Sequence, residues 1–386
     1  MNNFYFYIPT KVYFGKNQVE KLPGCIREFG NRVLLVYGKD SIKKNGIYND
    51  VVSQLKKSDI FFIELSGVDP NPRISTVREG ARVCKENNIQ IVLGVGGGSV
   101  IDCSKAIAAA SKYDGDPWDI WAKKAEPKKA LPVGAVITLA ATASEMNKNS
   151  VISNPDTEEK KGFGHDMLIP KFAIMDPAYT VTVPKRPTAA GIADIMSHVF
   201  EYYFIEVPGA TLQDEFCEGV LRTVIKYGKQ AIDEPANYEA RANLLWAGSM
   251  ALNGVSSRGK LFDGLLHSLE HALSALYDIS HGEGLALIIP YWMDAALSEK
   301  TMHRFARYAR NIWNIQEPDD MTAAKRGIEQ TSKFYKQLGL PQKLSDLGIP
   351  FDRFEDIAAK SMRGDTTGNL IVFTKADVVK FLERMK

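Results

Sequence analysis

Gln90-Ile-Val-Leu-Gly-Val-Gly-Gly-Gly-Ser-Val-Ile-Asp102, running on into Cys103-Ser-Lys-Ala-Ile-Ala-Ala-Ala-Ser111, reads as a buried strand, a glycine turn and the start of a helix. Glycine has no Cβ, so a pyrophosphate can approach the backbone at Gly96, Gly97 and Gly98. The free N–H groups and positive end of the helix that follows favour an anion there. Ser99 is placed to cap that helix, with Asp102 three residues on, a variant of the Ser-x-x-Glu capping box. The run is not a G-x-G-x-x-G fingerprint, so its weight comes from the strand–turn–helix context; a tight turn with no ligand is the competing reading.

Outward from this stretch, the first 183 residues alternate short β-rich apolar runs with amphipathic segments. The runs are Arg32–Tyr37, Ile60–Leu65, Gln90–Val95, Val133–Ile137 and Phe172–Met175; Ser75 to Asn87 carries helical spacing. Strand and helix in repeated alternation predict a parallel sheet covered on both faces. Beyond Val183-Pro-Lys-Arg-Pro187 the strand signals stop, and long helical stretches take over at 189–203, 211–230, 238–253 and 265–277. Each proline disfavours helix in the residue before it, which marks a boundary. The expected organisation is an α/β dinucleotide-binding domain over 1–184 and an all-α domain over 185–386.

A second turn decides the adenosine end of a dinucleotide. Tyr37-Gly-Lys-Asp-Ser-Ile-Lys-Lys44 follows an early strand. A carboxylate at a strand end selects a free ribose 2′-hydroxyl, whereas small and basic residues leave room and charge for a 2′-phosphate. With Gly38 first in the turn and Lys39, Ser41 and Lys43 after it, the composition favours NADP(H) over NAD(H), and Asp40 in the same turn argues the other way.

The helical half carries the metal chemistry. Asp194 with His198, and His267 with His271, are spaced one helical turn apart, and His281 follows; four of the six histidines fall within this stretch. Residues four apart lie on one helix face, so each pair can approach one ion. Imidazole and carboxylate donors suit Fe²⁺ or Zn²⁺ rather than Mg²⁺ or Ca²⁺. Five candidates exceed the four protein ligands a site normally needs, leaving one imidazole for proton transfer, and spacing does not say which. A lone buried histidine is ordinarily a satisfied core group; the set is what points to an ion. Asn147, Phe262 and Leu266 neighbour these motifs and are candidate pocket residues, although a Phe or Leu on a helix face usually packs a core.

Composition removes other classes. Of 386 residues, 45% are apolar and 24% charged, which is ordinary for a folded enzyme of about two domains. A formal charge of +2 offers no basic face for nucleic acid or anionic lipid. No apolar run approaches the roughly 18 residues of a spanning helix, and the start lacks a signal-peptide pattern. Cys25, Cys84, Cys103 and Cys217 form no Cys-x-x-Cys pair and read as reduced thiols of a cytoplasmic protein.

With these pieces placed, the chain resembles the iron-containing alcohol dehydrogenases, and looks most like their butanol dehydrogenase branch. The resemblance runs through Tyr13-Phe-Gly-Lys16, Gly67-Val-Asp-Pro-Asn-Pro72, Gly96 to Asp102, Thr138 to Met146, Ile174-Met-Asp-Pro177, the Asp194–His198 pair, His267-Ser-Leu-Glu-His271, His281-Gly-Glu-Gly284 and Arg363-Gly-Asp-Thr-Thr-Gly-Asn369. It implies a Rossmann-like N-terminal domain and an all-α metal-binding domain, the dehydroquinate synthase-like fold. It also implies iron held by Asp194, His198, His267 and His281, with His271 in proton transfer or substrate placement. Thr138, Thr142, Asn149 and Lys160 are implied as cofactor contacts beside Gly97, Gly98 and Ser99. The implied activity is hydride transfer between NAD(P) and a primary alcohol or aldehyde such as butanal, in a homodimer; the strand-like runs Phe4–Ile8 and Lys11–Phe14 could pair across its axis or cap a sheet edge. Where many relatives have Gly-Thr-Gly-Ser-Glu, this chain has Ala141-Thr-Ala-Ser-Glu145, which narrows the space beside the nicotinamide. Rival readings are a polyol dehydrogenase, a sugar-phosphate cyclase of the same architecture, and a non-catalytic dinucleotide sensor with a structural metal.

Overall fold

The computed structural model describes residues 1–386. Its main sheet has six parallel strands, β1 (Lys11–Phe14), β2 (Arg32–Tyr37), β3 (Phe61–Leu65), β4 (Ile91–Gly96), β5 (Val133–Ile137) and β8 (Phe172–Met175), in the order β1-β8-β5-β4-β2-β3. Between β5 and β8 stands an antiparallel hairpin, β6 (Asn149–Asn154) with β7 (Glu159–Gly164). The helices of this part are α1 (Leu22–Arg27), α2 (Ser41–Lys44), α3 (Ile47–Lys57), α4 (Ile74–Glu86), α5 (Gly98–Ala110) and α6 (Trp118–Trp121).

Strand residues alternate between two cores, as a sheet buried on both faces requires. In β2, Leu34 and Val36 join Ile74, Val77 and Ile107 on one face, while Val33, Leu35 and Tyr37 join Val51, Leu55 and Ile174 on the other. After β2 the chain moves outward to β3, then returns to lay β4 on the opposite side of β2. This reversal is a topological switch point, where the ends of adjacent strands splay and open a crevice. The Gly38 turn leaves β2 and the Gly97 turn leaves β4, with Tyr37 in register with Val95.

The remaining elements are helical: α7 (Lys185–Tyr203), α8 (Thr211–Asp233), α9 (Tyr238–Leu252), α10 (Leu265–Tyr277), α11 (His281–Ala296), α12 (Met302–Trp313), α13 (Asp320–Gln337), α14 (Phe354–Ser361) and α15 (Lys375–Glu383), with a two-residue ladder between β9 (Thr366–Thr367) and β10 (Phe373–Thr374). From Thr188 to Tyr203, α7 is buried on every face. Aromatic side chains fill the space around it: Phe204 stacks on Phe305 at 4.2 Å and meets Trp292 and Tyr308 edge-on.

By their contacts the residues divide into two compact units. One comprises Tyr7–Val183 and Pro235–Ser249, the other Met1–Phe6, Pro184–Glu234 and Met250–Lys386. The division at Val183 and Pro184 falls where the proline punctuation stands, but the first six residues belong with the helical unit and part of α9 with the sheet. Of the two strand-like runs at the start, Lys11–Phe14 is β1 on the sheet edge, pairing with Phe172–Met175. Phe4 to Ile8 forms no strand, and Phe4, Tyr5, Phe6 and Tyr7 are exposed.

Candidate active site

The glycine turn is held open by its neighbours. A methyl at Gly98 would lie 2.3 Å from Thr142 Oγ1, one at Gly96 2.6 Å from Val100, and one at Gly97 3.3 Å from Leu139. Only glycine leaves this floor bare, and the buried hydroxyl of Thr142 has no hydrogen-bond partner, a polar group ready for a ligand. Ser99 is not the helix cap. The helix starts earlier, with Gly97 as N-cap and Gly98 as its first residue, and the Ser99 hydroxyl donates to the Pro70 carbonyl oxygen. Nor does Asp102 reach back: its carboxylate accepts from Ser144 Oγ at 2.5 Å and from the Val151 N–H at 2.9 Å, tying α5 to the following loop and β6. These two bonds, made with residues more than forty positions away, outcompete a local capping box.

In the same unit, Thr138 follows β5 with its N–H on the Gly96 carbonyl at 3.1 Å. Asn149 opens β6 and Lys160 faces Ser153 across the hairpin. Asn147, a pocket candidate, is a buried hub: it donates to the Thr142 and Ala143 carbonyls and accepts from the Asn149 N–H and from Lys105 Nζ. Ala143 holds the left-handed conformation, φ 52° and ψ 30°, where a glycine would be unstrained. At the other turn, Gly38 and Ser41 precede and open α2, and Lys39 forms an exposed ion pair with Asp69 at 3.0 Å. Lys43 lies over the rings of Tyr37 and Tyr48 at 5.2 and 5.1 Å.

The five metal candidates come together in the helical unit. Asp194 and His198 share a face of α7, with Asp194 Oδ1 3.4 Å from His198 Nε2 and 3.6 Å from His281 Nε2. His198 stacks on His267 with ring centres 4.5 Å apart. One donor atom each from Asp194, His267 and His281 lies within 4.8 Å of the others, and Glu270, His271 and His281 form an overlapping group. His281 reaches the cluster because α11 approaches α7 at glycine: a methyl at Gly282 would lie 2.1 Å from the Ala190 carbonyl oxygen. His271 stands beside the set, 6.2 Å from His267 and 5.6 Å from His281 by ring centres.

Two carboxylates that sequence reasoning passed over orient these rings. Glu201 Oε2 takes His267 Nδ1 at 2.6 Å, and Glu270 Oε2 takes His281 Nδ1. Both carboxylates are fully buried. With Nδ1 engaged, each ring turns its Nε2 inward, the arrangement that fixes the tautomer of metal-bound histidine. Buried Nε2 atoms of His198 and His267 have no hydrogen-bond partner. Burial, with the neighbouring imidazoles, holds His198 well below its ordinary range and so neutral. Burial opposes charge on His267 too, but Glu201 outweighs it and raises that group. Imidazole nitrogens gathered around the Asp194 carboxylate fit a borderline divalent cation. Of the two glutamates, Glu201 had a signal: Asp194, His198 and Glu201 follow at intervals of four and three along the buried part of α7. Of the pocket candidates, Leu266 is buried, whereas Phe262 is exposed 6.5 Å from the His267 ring.

Comparison with known proteins agrees with this geometry. The family model for iron-containing alcohol dehydrogenase matches residues 9–177, and that for the C-terminal part of the Fe-containing alcohol dehydrogenase family matches residues 188–385. The NADH-dependent butanol dehydrogenase A of Clostridium acetobutylicum is 49% identical over 387 residues, covering 100% of both chains. The NADPH-dependent aldehyde reductase YqhD of Escherichia coli is 39% identical over 90% of each. The crystal structure of the NADH-dependent butanol dehydrogenase A of Thermotoga maritima superposes with a TM-score of 0.95 at 41% identity, covering 100% of this chain and 99% of that one. Two family models that together span nearly the whole length, over a glycine-floored switch point and a buried histidine cluster, place the chain in the iron-containing alcohol dehydrogenase family, as an NAD(P)-linked oxidoreductase of alcohols and aldehydes.

Proposed function

We propose that the protein reduces short primary aldehydes of the butanal class and oxidises the matching alcohols, with iron held by Asp194, His198, His267 and His281. The observation that carries this is the convergence of Nε2 atoms whose opposite ring nitrogens are committed to buried Glu201 and Glu270. A divalent ion there supplies Lewis-acid polarisation of the substrate oxygen, and the nicotinamide carries the hydride. Glu201 and Glu270 fix the imidazoles, so no rearrangement is needed when charge develops on the substrate. His271, more open to solvent than His267, exchanges the proton between substrate oxygen and water. Gly96, Gly97, Gly98 and Ser99 form the floor for the pyrophosphate at the N-terminus of α5, with Thr142, Thr138, Asn149 and Lys160 beside it, while Asp102 ties α5 to Ser144 and Val151.

NADP(H) is the favoured cofactor in this reading. No carboxylate ends β2; Gly38 leaves space, and Ser41, Lys39 and Lys43 supply a hydroxyl and charge for a 2′-phosphate. Against it stand the Lys39–Asp69 pair, which satisfies part of that charge, and relatives whose names carry NADH. Second copies of the chain would pair through the exposed Phe4–Tyr7 run and the β1 edge. The four free, buried cysteines suit a reducing cytoplasm.

The test is an aldehyde panel assayed with NADPH and NADH on metal-depleted protein, with Fe²⁺ or Zn²⁺ added back. Turnover of butanal should return with the ion, with a higher kcat/KM for NADPH. Failure to turn over any short aldehyde in any combination would sink the proposal.

A further inference from the structure

Arg363-Gly-Asp-Thr-Thr-Gly-Asn369 supplies neither an ion ligand nor a floor for the dinucleotide, yet the fold clamps it to the start of the helix that carries His267 and His271. Asp263, 1% exposed, accepts the backbone N–H groups of Asn369 at 2.5 Å and Leu370 at 2.6 Å on one oxygen, and Trp292 Nε1 at 3.1 Å on the other. The Asp263 N–H in turn donates to the carbonyl of Glu201 at 2.8 Å, and Asn369 Nδ2 donates to the Phe262 carbonyl at 2.7 Å. The Arg363 N–H closes the turn on Thr366 at 3.2 Å, and Gly364 takes φ 99°. The backbone beneath Arg363 is therefore fixed.

The side chain is fixed as well. Arg363 Nε donates to Ser268 Oγ at 2.7 Å, on the residue next to His267. The guanidinium carbon lies 5.9 Å from the Phe262 ring centre. Gly264 is cleared for it: a methyl there would lie 2.2 Å from Arg363 Nη1. Phe262 is 42% exposed and its ring stands 6.5 Å from His267, so Arg363, against Phe262 and Ser268, lies beside the start of the helix that carries His267. The terminal nitrogens of Arg363 make no hydrogen bond or ion pair, and exposed Asp365 in the same loop does not neutralise them. An exposed arginine tethered through Nε beside an aromatic face, with its outer N–H groups left over, is oriented for a planar oxyanion, and carboxylate is the group that fits bidentately.

We propose that Arg363 is a specificity-determining residue that takes the distal carboxylate of an aldehyde whose carbonyl reacts at the His267 cluster. This rests on the reading of that cluster as the reaction centre. ω-Carboxy aldehydes and the hydroxy acids they yield are thus the substrate class. A mere brace for the loop would need the Ser268 and Phe262 contacts but would not discriminate between substrates.

The experiment compares 4-oxobutanoate with butanal in the metal-loaded protein and in R363M and R363K, with ion content and Tm measured alongside. The ratio of kcat/KM for 4-oxobutanoate to that for butanal should fall about tenfold or more in R363M, chiefly through KM of the anion. R363K should recover only part of it, because an ammonium does not make the paired bonds. In the unmutated protein, KM for 4-oxobutanoate should rise with ionic strength while that for butanal stays level, a readout independent of folding of the variants. An unchanged ratio in R363M, or equal salt response of the two aldehydes, overturns the assignment of Arg363 while leaving the dehydrogenase reading intact. Absence of turnover with either aldehyde overturns both.

Discussion

At the scale of single residues, the site depends on which nitrogen of each imidazole is spoken for. Glu201 and Glu270 commit Nδ1 of His267 and His281, so the orientation of both rings is set by buried carboxylates. His267→Ala should lose the ion and all aldehyde reduction. His271→Ala should keep the ion and lose about 10²-fold or more in kcat, with an altered pH profile. Glu201→Gln should weaken ion affinity about 10- to 100-fold while leaving the ligand set complete. Metal analysis beside kinetics separates the three, and loss of the ion in His271→Ala as readily as in His267→Ala would refute the division of roles. The pH sign follows from His267: its raised affinity for protons makes protonation compete with an ion above the ordinary imidazole range, so affinity should fall as pH drops through that range. The one-turn spacings of the ligands were legible in the sequence. Glu201 continues the same spacing, but its role as the partner of His267 was not legible, because the two lie 66 residues apart and only packing of α10 on α7 joins them.

At the scale of elements, the strands of the main sheet were legible nearly residue by residue, since burial on both faces leaves unbroken apolar runs such as Val33–Tyr37. The helix at His281–Ala296 was hidden by Gly282, Gly284 and Pro290, all unfavourable in isolation. Close approach to α7 makes Gly282 necessary, and full burial of the helix outweighs its propensity. In α5, Lys105 shows how an element is braced: it is fully buried and gives its ammonium to the Asn149 carbonyl at 2.7 Å and Asn147 Oδ1 at 3.2 Å. Burial pushes this amine down from its ordinary 10.5 to about 8, against the pull of Asp102 and Glu145. Between those values the unfolded chain holds the extra proton, so stability contributed at this position should rise with pH through the window and be level below it. Urea melts of the native protein and Lys105→Met from pH 7 to 10 should reveal a difference that grows in favour of the native chain, by on the order of 3 kcal/mol at most. A pH-independent difference would show the amine to be unperturbed.

At the scale of the whole molecule, the glycine turn lies in one compact unit and the histidine cluster in the other. No helix is long and apolar enough to cross a membrane. Because α7 is buried from Thr188 to Tyr203 and packed among aromatic side chains, chelation should abolish aldehyde reduction while preserving the far-ultraviolet circular dichroism. Tm should drop by a few degrees, as expected for loss of about 3–4 kcal/mol of ion binding in a chain of this size. Collapse of the helical signal on chelation would instead mark the ion as structural.

The sequence by itself determined the alternation of strand and helix, the glycine turn and the donor types, because these follow from periodicity and local chemistry. Only the tertiary structure decided that the Gly38 and Gly97 turns leave neighbouring strands at a reversal of strand order, that Asp102 serves Ser144 and Val151 instead of a cap, and that Glu201 and Glu270 orient the rings of His267 and His281. Each of those pairings joins groups on different elements, and a carboxylate chooses among many possible donors by which one packing brings within bonding distance and shields from water.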